Sequence, residues 1–295
     1  FFEIYTKNIK FIKGKYMKLL SLGVASFVLS STLFATAEID KKIIDFETNR
    51  LSQNSNITLK GIDITTKKAL SMKGWYGYIL NIQADVQGRG LVSGENMLFT
   101  NGEAFTMELI DMKTSKSFKD VLMPQVTNAY YKKSHFIAGN ENAKNKVVVF
   151  SDPLCPACQN SLPMIIKIAN NKSKDIALYY YHFPLLSIHP AADIVSRAMV
   201  VAKEKGIKDI ELKVYATNFS KYFTAKETDS KVILDGFNKT FNTNITQAEL
   251  DSAKVMNELS TDVKMGEEVM VQGTPTLFVN GVNDQSRNLF QALAQ

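Results

Sequence analysis

The sequence predicts a chain of mixed α/β and α+β class, in which a small strand-rich unit precedes a larger domain built on a βαβ core. Three observations predict it. Lys146–Phe150 (KVVVF) and Ile176–Tyr181 (IALYYY) are short β-branched and aromatic runs flanking a helical stretch that opens at Cys155-Pro156. Residues 57–118 are brief apolar runs broken by glycine. Residues 187–270 carry helical patterning only, before a last strand at Thr276–Val279.

The first 37 residues read as an address. Met17-Lys18 opens a short basic region, Leu19–Phe34 has no charge, and Ala35-Thr36-Ala37 is an A-x-A pattern before Glu38. That layout is a secretory signal peptide cleaved after about Ala37. The apolar run is short against the roughly 20 residues of a membrane span. Residues 1–16 imply either a long n-region or translation from Met17. No cysteine lies near the cleavage site, so lipid anchoring has no support. The expected location is the periplasm, where a thiol pair can cycle.

The charge balance follows from that leader. The 295 residues carry a formal net charge of +6. Five lysines (Lys7, Lys10, Lys13, Lys15, Lys18) against Glu3 alone fall in 1–37, so the remainder is close to neutral. A broad nucleic-acid surface is excluded on that ground. Two cysteines, Cys155 and Cys158, exclude a disulfide-dense scaffold.

Residues 39–53 predict an amphipathic helix, with Ile39, Ile43, Phe46 and Arg50 at helical spacing and Ile44 and Leu51 beside them. Strand-like runs follow at Ile57–Leu59, Trp75–Ile82, Met97–Thr100 and Phe105–Ile110, with Asn101-Gly102 as a hairpin turn. The organisation read from this is 1–37 leader, 38–118 strand-rich unit, 119–145 linker helix (near 120–133) and linker, and 146–295 main domain. Within the insertion, one helix runs from near Pro190 to Gly206, others cover 209–222 and 229–241, and a capping box Thr246-x-x-Glu249 starts a last one extending past Met265. Met256 and Met265 read as core filler. Asn280-Gly281 turns the chain, and Asp284 caps a terminal helix with Leu289, Phe290 and Leu293 inward.

The C-x-x-C spacing gains meaning from its place at a strand-to-helix turn. The reacting species in thiol–disulfide exchange is the thiolate. A cysteine at a helix start faces unpaired N–H groups and the positive end of the dipole, which both stabilise an anion. Cys155 is therefore read as the exposed nucleophile. Pro156 suits the first turn, where no N–H is needed. Cys158, one turn deeper, is read as the buried resolving thiol, able to close a disulfide with Cys155. Pro275 in Gly273-Thr274-Pro275-Thr276 opens a strand, and a cis bond there would set the Thr274 backbone against the sulfurs. Two plainer readings stand beside this one. A zinc site would need two of His135, His182 and His189, but no H-x3–5-H pair exists and the spacing argues against metal. A purely structural disulfide closing so short a loop would restrain little chain entropy.

VVVFSDPLCPAC (147–158), Pro163, VQGTPTLFVNG (271–281) and the terminal helix together resemble the thioredoxin-like fold of periplasmic Dsb proteins. The long separation from Cys158 to Pro275 resembles the inserted helical subdomain of DsbA, DsbC and DsbG. HFPLLSIHPAA (182–192) resembles the DsbA-like oxidases, while SDPLCPAC and the N-terminal extension resemble DsbC and DsbG. This last resemblance implies that 38–118 is a dimerisation domain. It implies a V-shaped homodimer acting as a disulfide isomerase or reductase on unfolded or misoxidised exported proteins. Catalysis would fall to Cys155 and Cys158, with Pro156, Ala157, Thr274 and Pro275 contacting substrate or tuning the thiols. No cofactor is implied beyond the redox-active Cys155–Cys158 disulfide, and the partner would be a DsbD-like reductant. The Pro-Ala dipeptide departs from both groups. It keeps open a dithiol oxidase served by a DsbB-like partner, with a holdase chaperone as a further alternative. The resemblance gives His182 and His189 no acid–base role, and they read as structural.

Overall fold

A computed structural model describes residues 37–88 and 90–295. The expected leader lies outside the described residues except for Ala37. The chain divides into two compact units, the first closing at Leu122 and the second spanning Met123–Gln295.

In the described part of the first unit, helix α1 (37–52) turns Ile39 and Ile43 onto a four-stranded antiparallel sheet. Its strands, β1 (Ile57–Ala69), β2 (Tyr76–Val86), β3 (Gly90–Thr100) and β4 (Phe105–Thr106), lie in sequence order. Ile43, Tyr78, Leu80 and Leu98 form its core. The Asn101-Gly102 turn joins β3 to β4 as expected, with Gly102 at φ 88°. β1, β2 and β3 run longer than their apolar patches, whereas β4, expected over Phe105–Ile110, holds only two residues. β1 continues through Gly61 across a register shift, and β3 carries Ser93, Gly94 and Glu95 opposite β2. Backbone pairing to Asn81, Ile82 and Gln83 of β2 holds these polar stretches, so side-chain pattern alone truncates them.

The segment expected to be a linker helix and linker, 119–145, is built differently. Only α2 (Lys119–Leu122) is α-helical; short 3-10 turns follow at Asn128–Tyr130 and Lys133–His135. Strand β5 (Phe136–Gly139) then joins the sheet of the second unit. Tyr130 is buried, with its hydroxyl on Met265 O at 3.0 Å. Packing thus claims residues whose mixed polarity had suggested a free connection.

The second unit has a thioredoxin-like α/β fold. Its sheet runs β5-β7-β6-β8-β9, with β6 (Asn145–Ser151), β7 (Ile176–His182), β8 (Thr276–Val279) and β9 (Val282–Asn283). β6 and β7 are parallel across helix α3 (Pro156–Asn171), and β8 returns antiparallel to β6. Residues Val147–Phe150 are fully buried, because the central strand is covered on both faces. Val147 and Val149 meet Leu162, Ile165 and Ile166 of α3, whereas Val148 and Phe150 face Tyr179, Tyr181 and Met265. Gly139 sits at φ 87°, and a Cβ there would lie 2.0 Å from Ile176 O; only glycine fits.

The insertion between β7 and β8 is helical: α4 (Ala192–Glu204), α5 (Ile210–Tyr215), α6 (Ser230–Phe241), α7 (Gln247–Leu250) and α8 (Ala253–Glu268). The Thr246/Glu249 capping box is present but starts only the short α7; Ser252 caps α8 separately. Met256 is 44% exposed and so is not core filler, unlike Met265. The chain ends in α9 (Asn288–Ala294), where the Asp284 carboxylate accepts the Leu289 and Phe290 N–H groups. Phe290 is buried, but Leu289, expected inward, is exposed. The Asp284 caps fix the helix phase by backbone N–H, and that phase turns Leu289 outward.

Candidate active site

Cys155 is the N-cap residue of α3, in extended backbone (φ −74°, ψ 121°), with Pro156 in the first helical turn. Cys158 is fully buried one turn on. Cys155 is far less open than expected, at 8% exposure. The chain around Thr274 covers it: the Cys155 Sγ–H donates to Thr274 O at 3.4 Å. The Thr274–Pro275 bond is cis. Pro156 and Ala157 are exposed beside the sulfur, and Thr274 and Pro275 are half-buried. The structure therefore gathers all six sequence-predicted site residues in one place. Both cysteines are free thiols.

The two thiols are driven apart in acidity. Cys155 is pulled down to about 5, first by the hydrogen bond it shares with Cys158 and then by the backbone N–H groups of Cys158 and Ala157 and by Thr274. Burial opposes this and loses. Cys158 moves strongly upward, chiefly through burial, and next because its hydrogen bond serves the Cys155 thiolate. One sulfur is thus poised as an anion near neutrality while its neighbour keeps its proton.

Several residues that shape the site were missed. Asp152 is completely buried in the turn ahead of Cys155. Its carboxylate accepts the N–H of Leu154 at 2.7 Å and of Leu185 at 2.8 Å, and lies 2.9 Å from His189 Nδ1. It pins the Ser151–Leu154 turn to the 183–189 loop. An acid in the Ser-Asp-Pro-Leu turn was the available signal, because Asx side chains bind backbone two residues on. Arg287 donates from Nη2 to Pro275 O, so the last loop holds the proline from behind. Burial lowers the Arg287 pKa while the charges of Asp284 and Cys158 oppose that.

Among the described residues the three histidines have other polar neighbours. His135 Nε2 lies 2.7 Å from Asp262 Oδ1, and the His182 backbone N–H donates to Asp262 Oδ2 at 3.0 Å. His182 is lowered to about 4 by burial.

A family model described as Thioredoxin matches residues 131–293. Among solved structures, a thioredoxin-like oxidoreductase from Silicibacter pomeroyi is 16% identical and covers 57% of this chain and 95% of its own, with a TM-score of 0.45. BdbD from Bacillus subtilis is 19% identical over 58% of this chain and 97% of its own, with a TM-score of 0.44. In sequence, the Na(+)/H(+) antiporter NhaA 1 of Mycolicibacterium vanbaalenii is 25% identical over 154 residues, half of this chain. The match spans only 23% of that relative's length.

Proposed function

The chain belongs to the thioredoxin family, and from that premise we propose that it is a thiol–disulfide oxidoreductase acting on exported proteins in the periplasm. One observation carries the reading: Cys155 at a helix start, its thiol drawn toward the anion, with a proton-bearing Cys158 buried directly behind it. The Cys155 thiolate attacks a substrate disulfide, forming a mixed disulfide and expelling one substrate thiolate. Cys158, on losing its proton, then attacks Cys155 Sγ; the Cys155–Cys158 disulfide forms and the second substrate sulfur departs with the electron pair. The reverse sequence oxidises a dithiol. The carbonyl of Thr274 beside Cys155 suits an extended backbone segment.

The poise of the thiols bears on the direction. Stabilising the thiolate stabilises the reduced form, and a disulfide whose reduced form is favoured is the stronger oxidant. The lowered Cys155 pKa argues for the dithiol oxidase, whereas the resemblance to DsbC and DsbG argues for the isomerase or reductase. Alkylation trapping in cells separates them. Mostly oxidised Cys155–Cys158 is expected of the oxidase; mostly reduced thiols mark the isomerase. Cys155→Ala should abolish both insulin reduction and dithiol oxidation, and retained activity ends the proposal. The strand-rich unit is proposed to pair two copies of the chain. A monomeric mass in solution would remove that part.

A further inference from the structure

Arg287 carries two costs that its place in the fold does not explain. It caps the start of α9 at φ 63°, a left-handed backbone that glycine takes without strain. Its side chain is half-buried, and Nη1 is buried with no hydrogen-bond partner among the described residues. A buried donor left unpaired is unfavourable and needs a reason. One bond is gained in return: Arg287 Nη2 donates to Pro275 O. The loop that delivers this guanidinium is itself fixed. Asp284 N–H donates to Leu277 O of β8 at 2.8 Å, and Arg287 N–H donates to Asp284 O at 3.1 Å.

The neighbours of Pro275 O give that bond its use. Residues 272–275 belong to no strand, and Pro275 has no N–H with which to anchor them. Three successive carbonyls are instead each held by a side chain. Thr276 Oγ1 donates to Gly273 O at 2.7 Å, Cys155 Sγ–H donates to Thr274 O at 3.4 Å, and Arg287 donates to Pro275 O. The outer two donors take no part in thiol exchange. The middle donor is the reacting thiol, and its S–H is gone once Cys155 is a thiolate or is bonded to a client sulfur. Thr274 O is then an open acceptor beside the sulfur, and the grips on Gly273 O and Pro275 O keep its direction.

Resting on the thiol-exchange reading above, we propose that Arg287 is a positioning residue, which keeps the Thr274 carbonyl aimed beside Cys155 for a backbone N–H of the client. The substrate class so favoured is a disulfide carried in a polypeptide. A small disulfide without a peptide N–H gains nothing from that acceptor, so Arg287, acting through Thr274, separates the two classes.

Stopped-flow loss of the Cys155 thiolate absorbance in the reduced protein gives second-order rate constants for two oxidants: a disulfide-linked peptide, and bis(hydroxyethyl) disulfide, which has no peptide group. The ratio of the two constants is the readout, because a changed thiolate fraction or a loosened fold moves both alike. Arg287→Met keeps the stem and removes the donor. Arg287→Gly removes the donor and relieves the left-handed φ, so it guards against a folding defect. In each variant the ratio of peptide to small disulfide should fall about tenfold, the loss expected of one charge-assisted hydrogen bond. An unchanged ratio in either variant overturns the positioning role. An unaltered reduced protein that reacts with neither disulfide would sink the thiol-exchange reading instead.

Discussion

Cys155 Sγ and Thr274 O stand 3.4 Å apart although 119 residues of chain separate them. That contact joins the helix start to the proline loop, and it sets the Thr274 side chain against the same sulfur. Thr274 Oγ1 is buried with no hydrogen-bond partner of its own, and it helps to lower the Cys155 pKa. Thr274→Val keeps the branched shape and removes the hydroxyl. The thiolate absorbance of Cys155 should then titrate about one pH unit higher. An unmoved curve would show that the backbone N–H groups suffice.

The same thiol makes the stability of the reduced protein depend on pH. An unfolded cysteine titrates near 8.5, whereas folded Cys155 is lowered to about 5. Between those values the unfolded chain binds the proton that the folded chain has lost, so stability rises with pH. The contribution is complete above about 8.5 and disappears as pH falls toward 5. Thermal melts of the reduced protein and of Cys155→Ala across this window should diverge upward with pH for the former; parallel curves would contradict the shift.

Asp152 offers a test of the turn. Asp152→Ala leaves the N–H groups of Leu154 and Leu185 and the His189 ring without their shared acceptor inside the protein. A loss of about 2–4 kcal/mol is expected in denaturant unfolding. Asp152→Asn, which keeps one carbonyl oxygen, should lose less. Equal stability of all three proteins would mean that the turn holds itself.

Gly139→Ala probes the sheet edge remote from the thiols. The added methyl carbon meets a backbone oxygen at 2.0 Å and a left-handed φ. Since neither can yield cheaply, destabilisation of about 3 kcal/mol or more is expected. A shift in melting temperature of less than a few degrees would be incompatible with that packing.

Which parts could be read from sequence follows from how each residue earns its place. β6, α3 and β7 are legible because both sheet faces are covered, so the strands are unbroken apolar runs and the helix carries its own start signal in Cys155-Pro156. The ends of β1 and β3 are not legible, because pairing to β2 fixes Gly61 and Gly94 in strands their side chains would not choose. Strand β5 is hidden for a similar reason: Phe136–Gly139 is defined by its partner, β7. At the site, the cysteines and the proline announced themselves by spacing. Asp152 and Arg287 did not, since their importance lies in which distant atoms they meet.

The helical insertion places every residue of α4–α8 between the thiols and Thr274. A nascent chain emerging from its N-terminus therefore presents both sulfurs long before the loop that covers one of them has been synthesised. Until residue 274 arrives, Cys155 lacks both its carbonyl neighbour and part of what sets its acidity. Full reactivity is thus a late product of translation, and an interrupted chain carries the thiols without the finished tool.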